Sequence, residues 1–352
     1  MSQAPPPAAL LDITDLKVHF PVRRGLLMRQ VASVKAVDGV SFSVARGETL
    51  GLVGESGCGK STTARAITRL VPATSGRALL DGQDLFALEG SRLRAARRHM
   101  QMVFQDPYAS LNPRMTVFDT LSEPLKIHKI ASSRSDVEER VRDLMKKVGL
   151  SPAYMRRYPH EFSGGQRQRI GIARAISLSP KLVVLDEPVS ALDVSIQAQI
   201  LNLLVDLQAE LKLTYVFVAH DLAVVRHICQ SIAVMYLGRI VERAPTDRLF
   251  SAPHHPYTQS LLSAIPLADP LRERERRRIV LTGEVPSPLA PPPGCHFHTR
   301  CPIATERCKR ETPKLVATHE DHLVACHVVE ERGGAPDVAG AVAAAQASSP
   351  PA

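Results

Sequence analysis

The sequence predicts an α/β fold built on a buried parallel sheet, and three features of the chain lead to that prediction. Short runs of apolar residues occur at 48–53, 182–185 and 215–219, and such runs are typical of strands that are covered on both faces. Stretches with apolar residues at helical spacing, such as 166–178, lie between the runs. A glycine-rich loop joins the first run to a helical stretch.

The glycine-rich loop fits the pattern G-x-x-x-x-G-K-[ST], with Gly54, Gly59, Lys60 and Ser61 at its fixed positions. A loop of this kind between a strand and a helix directs backbone N–H groups and the positive end of a helix dipole at one point, where phosphate binds. The lysine can reach the β- and γ-phosphates, and the serine hydroxyl can bind Mg²⁺. We therefore predict a nucleoside triphosphate site formed by Gly54, Glu55, Ser56, Gly57, Cys58, Gly59, Lys60, Ser61 and Thr62.

Composition limits the class of protein further. The 352 residues contain no Trp, only 4% aromatic residues and a net charge of +9, and the scarcity of aromatic side chains argues against base stacking with nucleic acid. No run of 18 apolar residues and no secretory signal occurs, so we expect a cytosolic protein. Residues 1–10 and 333–352, which are rich in Ala and Pro, are predicted to be disordered. Residues 21–34, with three arginines, are predicted to be a basic loop.

Polar side chains at strand ends supply candidate catalytic groups. Asp186 and Glu187 follow the buried run 182–185, at the sheet edge where open α/β sheets bind ligands. We expect Asp186 to bind Mg²⁺ and Glu187 to polarise the attacking water as a general base. Gln105 and His220 also follow apolar runs. Gln105 is a candidate for holding Mg²⁺ or positioning the attacking water, and His220 is a candidate for sensing the γ-phosphate.

A second stretch is suited to binding an anion. Ser163, Gly164 and Gly165 stand at the start of the helical stretch 166–178, and helix N-termini of this kind attract phosphate. The phosphate loop already provides a full set of donors for its own nucleotide, so a second such helix start suggests a nucleotide shared between two chains. An ordinary serine cap with glycines for close packing is the alternative.

In this order and spacing, the motifs resemble the ATP-binding subunit of an ABC transporter. The resemblance covers about residues 11–250 and implies an α/β P-loop NTPase of ABC type, with an antiparallel β subdomain and an inserted helical subdomain at about 88–178. It also implies a head-to-tail dimer in which the signature of one subunit contacts the γ-phosphate held by the other. The corresponding residues here are Gly54–Ser61 (Walker A), Gln105 (Q-loop, Mg²⁺), Phe162 with Ser163, Gly164, Gly165 and Gln166 (signature), Asp186 (Walker B), Glu187 (catalytic glutamate), Asp193 (D-loop) and His220 (switch histidine). The family's adenine-stacking aromatic has no match in its usual window, and Phe20 is the substitute that we predict.

A narrower resemblance is to the oligopeptide and dipeptide importers within that family. It rests on segments 104–114, 159–162, 255–262 and 283–288. The resemblance implies an ATPase that energises peptide uptake from the cytoplasmic face of the cell membrane, as a peripheral subunit. Its implied partners are a second, related ATPase, two transmembrane permease subunits and, indirectly, a solute-binding protein. Nickel, glutathione or another small solute is the alternative cargo, and export is a minor alternative to import.

Four cysteines distinguish the predicted C-terminal extension, residues 251–332. Cys295, Cys301, Cys308 and Cys326 have the spacing C-x5-C-x6-C-x17-C, and clustered cysteines in a cytosolic chain favour metal over disulfides. Four thiolates suit zinc or an iron–sulfur cluster, although zinc pairs are usually closer in sequence. The peptide-importer resemblance implies a [4Fe-4S] cluster. Zinc and the absence of any metal remain open at this stage.

Two other classes of ATPase or GTPase fit the sequence less well. A DNA-repair ATPase with the same motifs needs a long coiled coil between the phosphate loop and the signature, and the intervening segment here is too short. A GTPase needs an Asn-Lys-x-Asp motif, but the only asparagines are Asn112 and Asn202, and neither precedes lysine. We therefore expect no nucleic-acid partner.

Overall fold

The structure, a computed structural model, describes residues 9–25, 29–266, 278–319 and 321–347. Its strands are β1 (Ala9–Arg24), β2 (Arg29–Ala45), β3 (Thr49–Val53), β4 (Ser75–Leu80), β5 (Gln83–Asp84), β6 (Met100–Val103), β7 (Leu182–Asp186), β8 (Thr214–Ala219), β9 (Ser231–Tyr236), β10 (Arg239–Pro245), β11 (Val316–His319) and β12 (His322–Val324). Its α-helices are α1 (Lys60–Ile67), α2 (Gly90–His99), α3 (Val117–Ile127), α4 (Arg134–Lys147), α5 (Gly164–Ile176), α6 (Val194–Leu211), α7 (Leu222–Ile228), α8 (Thr246–Ser251), α9 (Pro256–Ser263), α10 (Glu306–Arg310), α11 (His327–Arg332) and α12 (Val338–Ala347).

The central sheet has the strand order β11-β12-β10-β9-β3-β8-β7-β6. The five strands from β9 to β6 pair in parallel, whereas β10, β12 and β11 extend the sheet in antiparallel pairs. Carboxyl ends of neighbouring parallel strands meet at one edge of a sheet. The loops after β3, β6, β7 and β8 are therefore brought together, and these loops carry the predicted nucleotide residues.

Alternation along the parallel strands divides the interior into two cores. Leu185 and Phe217 face the core shared with helices α3 to α6, and Val184 and Val216 face the core shared with α1 and strands β1 and β2. Successive side chains of a strand point to opposite faces, and apolar residues on both faces require cover on both sides. The two cores provide that cover, which explains why the strand sequences are continuous apolar runs.

A second sheet lies over one of the two cores, with the order β2-β1-β4-β5 and antiparallel pairing. Strands β1 and β2 form a long hairpin in which Val22 pairs with Ala32 and Arg24 with Arg29. The basic loop that we predicted at 21–34 is therefore wrong for its described residues: both strands continue into it. The side chains there are mostly exposed, so burial gives the sequence no alternating apolar pattern.

Helices α3, α4 and α5 contact one another and form the helical segment between β6 and β7. Each presents apolar residues to a common core, for example Leu121, Val141 and Ile170, all fully buried. Helix α3 begins with a capping box between Thr116 and Asp119, which satisfies free N–H groups at the helix start. None of the helices in the described ranges is long and apolar enough to cross a membrane.

Both chain ends differ from the disorder that composition predicted. Residues 9 and 10 begin β1, where Leu10 is buried, and α12 occupies much of the tail, where Val338 is buried. The carbonyl of Pro336 accepts a hydrogen bond of 3.0 Å from Gln259 in α9. Alanine, the best helix former, dominates this helix. Residues 1–8 and 348–352 of the predicted disordered segments lie outside the described residues.

A buried carboxylate on β10 holds the C-terminal part of the chain. Glu242 accepts hydrogen bonds from the backbone N–H groups of His254 and His255, at 2.7 and 2.9 Å, and lies 2.7 Å from the ring Nε2 of His322. Glu242 and His322 are both fully buried. One side chain thus joins the central sheet, the turn before α9 and strand β12.

Replacing Glu242 with alanine is expected to destabilise the protein by about 3–5 kcal/mol, because it leaves two buried N–H groups and a buried imidazole without their acceptor. Urea unfolding of the variant measures this loss. Glu330→Ala provides the control, since Glu330 is an exposed carboxylate of the same C-terminal region, and its change should stay within about 0.5 kcal/mol. Equal stability of the two variants would show that the Glu242 contacts contribute nothing net.

Candidate active site

The phosphate loop is shaped by glycines at positions where no side chain fits. Gly54 and Gly59 have φ values of 151° and 107°, which L-residues rarely adopt. A Cβ atom at Gly54 would lie 2.2 Å from the carbonyl oxygen of Met235, and one at Gly59 would lie 2.2 Å from that of Ala36. The loop is therefore pressed against β9 on one side and β2 on the other, and its path leads directly into α1.

Lys60 is the first residue of α1, and its side chain lies back across the loop. Its Nζ donates to the carbonyl oxygens of Gly54 and Glu55, at 2.7 and 2.9 Å, and lies 3.7 Å from Cys58 Sγ. The lysine is only 4% exposed. Burial raises the pKa of the Cys58 thiol, so the sulfur stays neutral beside the ammonium. The charge of Lys60 is thus held at the centre of the loop that surrounds phosphate.

The loop is joined to the end of β7 by a hydrogen bond of 2.7 Å from the Ser61 hydroxyl to Asp186 Oδ1. Asp186 is fully buried, and its Oδ2 has no hydrogen-bond partner among the described residues, although Arg65 Nη2 lies 3.9 Å away. Burial raises the pKa of this carboxyl, and nearby Glu187 raises it further, while Ser61, Arg65 and Lys60 act in the opposite direction. A hydroxyl and a buried carboxylate are hard oxygen donors that suit Mg²⁺. Ser61 and Asp186 therefore fit the metal that accompanies a nucleoside triphosphate.

Glu187 contacts two other predicted site residues, Gln105 and His220. Gln105 Nε2 donates to Glu187 Oε2 at 2.8 Å, and His220 Nδ1 lies 3.2 Å from the same oxygen. Glu187 has a φ of 46°, a left-handed conformation that costs energy for a residue other than glycine and is often found at active sites. The structure thus brings together side chains that follow β6, β7 and β8, as their positions at strand ends predicted.

The segment after Gln105 is fastened to helix α5. The guanidinium of Arg167 stacks 3.9 Å from the ring centre of Tyr108, and Arg174 Nη1 donates to the Ser110 carbonyl at 2.7 Å. Gln105 itself contacts Glu187. A displacement of this segment would therefore reach both Glu187 and the helix that carries the predicted signature.

The predicted signature forms the first turn of α5. Ser163 caps the helix in a capping box with Gln166. Gly164 and Gly165 pack against α6 and the residues before it, and a Cβ atom at Gly165 would lie 2.5 Å from Ile196 Cγ2. Within the described residues, the hydrogen bonds of this turn do not extend to the phosphate loop. Ser163 is exposed, as is Asp193, which precedes α6.

Phe20 lies on β1 with 41% of its side chain exposed. It pairs across the hairpin with Val34 on β2, two residues before Ala36, whose carbonyl packs against Gly59. The hairpin therefore pairs Phe20 with the strand that contacts the phosphate loop. Adenine stacking by Phe20 remains a prediction.

Two contacts of the phosphate loop were missed from the sequence. The backbone N–H of Glu55 donates to the hydroxyl of Tyr257 on α9 at 2.8 Å, and the Glu55 carboxylate forms an ion pair with Arg300. Tyr257 belongs to a segment that we used only for the importer resemblance, and Arg300 lies among the cysteines. Neither position carries a local signal that points to the loop.

No disulfide joins the four C-terminal cysteines within the described residues, and Cys308 and Cys326 are buried while Cys295 and Cys301 are partly exposed. The pKa of Cys295 is raised to about 11 and that of Cys301 to about 12, chiefly by burial and in part by neighbouring cysteines of the set. The thiols are thus close enough to interact electrostatically. In the part of the chain that the structure describes, no group of three or more His, Cys, Asp or Glu side chains has the arrangement of a metal site.

Comparisons with known proteins agree with this geometry. A family model described as ABC transporter matches residues 37–190, and one described as oligopeptide/dipeptide transporter, C-terminal region, matches residues 241–308. The oligopeptide transport ATP-binding protein AppF of Bacillus subtilis (strain 168) is 54% identical over 320 residues, which are 91% of this chain and 97% of that protein. The di/tripeptide transport ATP-binding protein DppF of Pseudomonas aeruginosa (strain UCBPP-PA14) is 52% identical over 322 residues, which are 92% of this chain and 98% of that protein.

A solved structure supports the same conclusion. The ATP-binding cassette MJ0796, a dimer in a post-hydrolysis state bound to ADP and Pi, has a TM-score of 0.60 and 27% identity, covering 67% of this chain and 98% of that one. Fold and site therefore define an ATPase of the ABC transporter class, as the sequence predicted. More narrowly, the chain belongs to the family of ATP-binding proteins of oligopeptide and dipeptide ABC transporters.

The raised pKa of Asp186 predicts a pH-dependent stabilisation by Mg²⁺ and ATP. The pKa of this carboxyl is about 4 in the unfolded protein and higher in the folded protein. The folded protein therefore loses stability as pH rises from the unfolded pKa through the folded one, because the buried carboxylate charge is costly. Bound Mg²⁺ offsets that cost. The rise in melting temperature that Mg²⁺ adds to ATP should therefore grow as pH increases through the raised pKa.

Thermal unfolding from pH 5 to 8, with ATP plus Mg²⁺ and with ATP plus chelator, measures this increment. The chelator series corrects for the titration of ATP itself. Asp186→Asn is the matched variant and should show no growth of the increment with pH. An increment that is constant with pH in the unmodified protein would contradict the assigned role of Asp186.

Proposed function

We propose that this chain is the ATP-hydrolysing subunit that energises uptake of di- and oligopeptides across the cell membrane, as a peripheral subunit on its cytoplasmic face. The observation that carries the proposal is the combination of a complete set of nucleotide residues with the C-terminal region that matches oligopeptide/dipeptide transporters. The names of the relatives, which specify oligopeptide and di/tripeptide transport, support the cargo.

Each residue of the site has a distinct part in hydrolysis. Lys60 and the loop N–H groups bind the β- and γ-phosphates, and Ser61 with Asp186 would hold Mg²⁺, which neutralises phosphate charge. Glu187 accepts the proton of the attacking water, because its carboxylate is only partly exposed and lies at the end of β7. Gln105 and His220 orient this carboxylate through their contacts with Oε2.

We propose that a second ATPase subunit completes the nucleotide-binding site. The predicted signature residue Ser163 and the D-loop residue Asp193 are exposed, and Val194 next to the latter is 82% exposed. An exposed helix N-terminus that is suited to phosphate fits an arrangement in which it covers the nucleotide of a partner. MJ0796, the related cassette, is a dimer. We propose that the partner is a related but non-identical ATPase, so that the pair is a heterodimer.

The permeases are proposed to dock in the groove beside Gln105. A cavity of about 600 Å³ lies there between α1, β6 and the helical segment, lined among others by Arg65, Leu70, Arg97 and Phe104. Leu70 is half exposed. A permease segment in this groove would press on the residues that connect Gln105 to Glu187 and α5. Docking and hydrolysis would thereby be coupled, and a solute-binding protein would act indirectly, through the permeases.

Glu187→Gln should retain ATP binding and lose turnover by about a hundredfold or more, because the amide cannot accept the proton of the attacking water. Hydrolysis by membranes that contain the variant and binding of radiolabelled ATP to the purified chain measure the two effects. Glu139→Gln serves as the matched control, since this glutamate is exposed on α4. Substantial hydrolysis by Glu187→Gln would contradict its role as general base.

The same variant tests the partners, and deletion of the gene tests the cargo. With ATP bound but not hydrolysed, affinity purification from gently solubilised native membranes should recover a second, non-identical ATPase and two permeases. Deletion of the gene should abolish uptake of labelled di- and oligopeptides. Recovery of a homodimer alone would contradict the heterodimer, and normal peptide uptake would contradict the cargo.

We further propose that Cys295, Cys301, Cys308 and Cys326 hold a [4Fe-4S] cluster. Four cysteine thiolates are the usual ligand set of this cluster. Two observations support it: the four thiols interact electrostatically, and backbone N–H groups of Phe297 and Ile303 point at Cys295 and Cys301. Zinc-binding cysteines usually lie in pairs two to four residues apart, and the wider sequence spacing of these four cysteines favours the cluster over zinc.

The cluster proposal predicts about four irons per chain after anaerobic purification, with broad visible absorption from the iron–sulfur group. Cys308→Ser should lose most of the iron and the absorption. Cys229→Ser is the control, because that buried cysteine is far from the set in sequence and its pKa is not shifted by the set, and it should keep both. One zinc per chain, or no metal at all, would contradict the proposal.

A further inference from the structure

We propose that Arg300 is a positioning residue for the phosphate loop, and that its ion pair with Glu55 couples the cysteine-bearing segment 295–308 to the affinity for nucleotide. The inference rests on ATP binding by this chain and is independent of the cargo, the permeases and the metal content. It assigns to the C-terminal extension a direct effect on the ATP site.

The contact is a two-point ion pair between residues 245 positions apart. Arg300 Nη1 lies 2.9 Å from Glu55 Oε2, and Nη2 lies 3.3 Å from Oε1. Arg300 is 9% exposed and Glu55 is 29% exposed. A planar guanidinium that meets both carboxylate oxygens fixes the orientation of the carboxylate as well as its charge. Glu55 is the residue that immediately follows the first glycine of the loop.

The backbone of Glu55 is held by the same region. Its N–H donates to the hydroxyl of Tyr257, and the Tyr257 ring is fully buried. The rings of Tyr236, Tyr257 and Phe297 pack edge to face or tilted, with centroids 4.8 to 5.5 Å apart. Phe297 lies three residues before Arg300. Packing of aromatic rings thus fixes the base from which both contacts reach the loop.

The negative charge of Glu55 determines whether loss of Arg300 raises or lowers the affinity for nucleotide. A carboxylate at the edge of a loop that binds a triphosphate repels the ligand unless a cation neutralises it. Arg300 supplies that cation from a mostly buried position, where ion pairs are screened little by solvent. Loss of Arg300 would leave the charge of Glu55 unpaired beside the phosphates and would free its side chain to move. Nucleotide affinity should fall in consequence.

The position of Arg300 depends on the cysteine-bearing segment. It directly precedes Cys301, and the N–H of Cys295 donates to the Cys308 carbonyl at 2.8 Å, which closes the segment into a compact loop. Coupling between two sites is reciprocal. If order in segment 295–308 favours nucleotide binding, bound nucleotide must stabilise the segment to the same degree.

The first test is ATP affinity, measured on the full chain in the Glu187→Gln background so that ATP is not consumed. Arg300→Ala should weaken ATP binding by about tenfold, Arg300→Lys by less, and Glu55→Gln added to Arg300→Ala should restore most of the loss. Arg310→Ala, an exposed arginine of the same region, is the control and should bind ATP normally. Unchanged affinity in Arg300→Ala, or a loss that Glu55→Gln does not relieve, would overturn the proposal.

The second test measures the reciprocal effect and does not depend on whether Arg300→Ala folds. Hydrogen–deuterium exchange of segment 295–308 is measured with and without ATP in Glu187→Gln. ATP should slow exchange there, and Glu187→Gln combined with Arg300→Lys or with Glu55→Gln should show a reduced effect. An identical ATP effect in all three proteins would overturn the coupling. Failure of the membrane purification above would leave both outcomes unaffected.

Discussion

The hydrogen bond between Ser61 and Asp186 is the contact on which the rest of the site depends. It joins the first turn of α1 to the end of β7, two elements that are 125 residues apart in sequence. Because β3 and β7 flank β8 in one parallel sheet, their carboxyl ends are adjacent only if the sheet has formed. The phosphate loop and the carboxylates are therefore assembled by the topology of the sheet and cannot form from local sequence alone.

Two neighbouring carboxylates follow β7, and their surroundings give them different chemistry. Asp186 is fully buried, with one oxygen bonded to a hydroxyl and the other without a hydrogen-bond partner in the part of the chain that the structure describes. Glu187 is turned out of the strand by its left-handed conformation and meets an amide and an imidazole instead. Burial favours a metal-binding role for the first, and access to water with polar neighbours favours proton transfer for the second. The two environments differ because Glu187 has a left-handed backbone conformation, which turns its side chain away from that of Asp186.

The residues of this site could be predicted from the sequence because each of them is marked by a local pattern, although their assembly depends on the sheet. The phosphate loop, the run 182–185 with its two carboxylates, and His220 after β8 each combine a strand with the polar residue that ends it, and parallel strands place those ends together. Residues 21–34 were misread for the opposite reason. The hairpin there is mostly exposed on both faces, so no alternation of apolar residues distinguishes a strand from a loop.

Contacts of the C-terminal extension could not be predicted from the sequence, because they join distant segments through single polar side chains. Glu242 binds the turn before α9, and Arg300 binds Glu55, yet neither residue has a pattern in its own neighbourhood. These two contacts act in series. Glu242 fixes the start of α9, α9 places Tyr257, and Tyr257 with Arg300 holds Glu55 at the entrance of the phosphate loop. An extension that was attached only for binding metal would need none of these contacts with the loop. These contacts hold the extension against the phosphate loop, and they are the route by which we propose that changes in its fold reach the nucleotide.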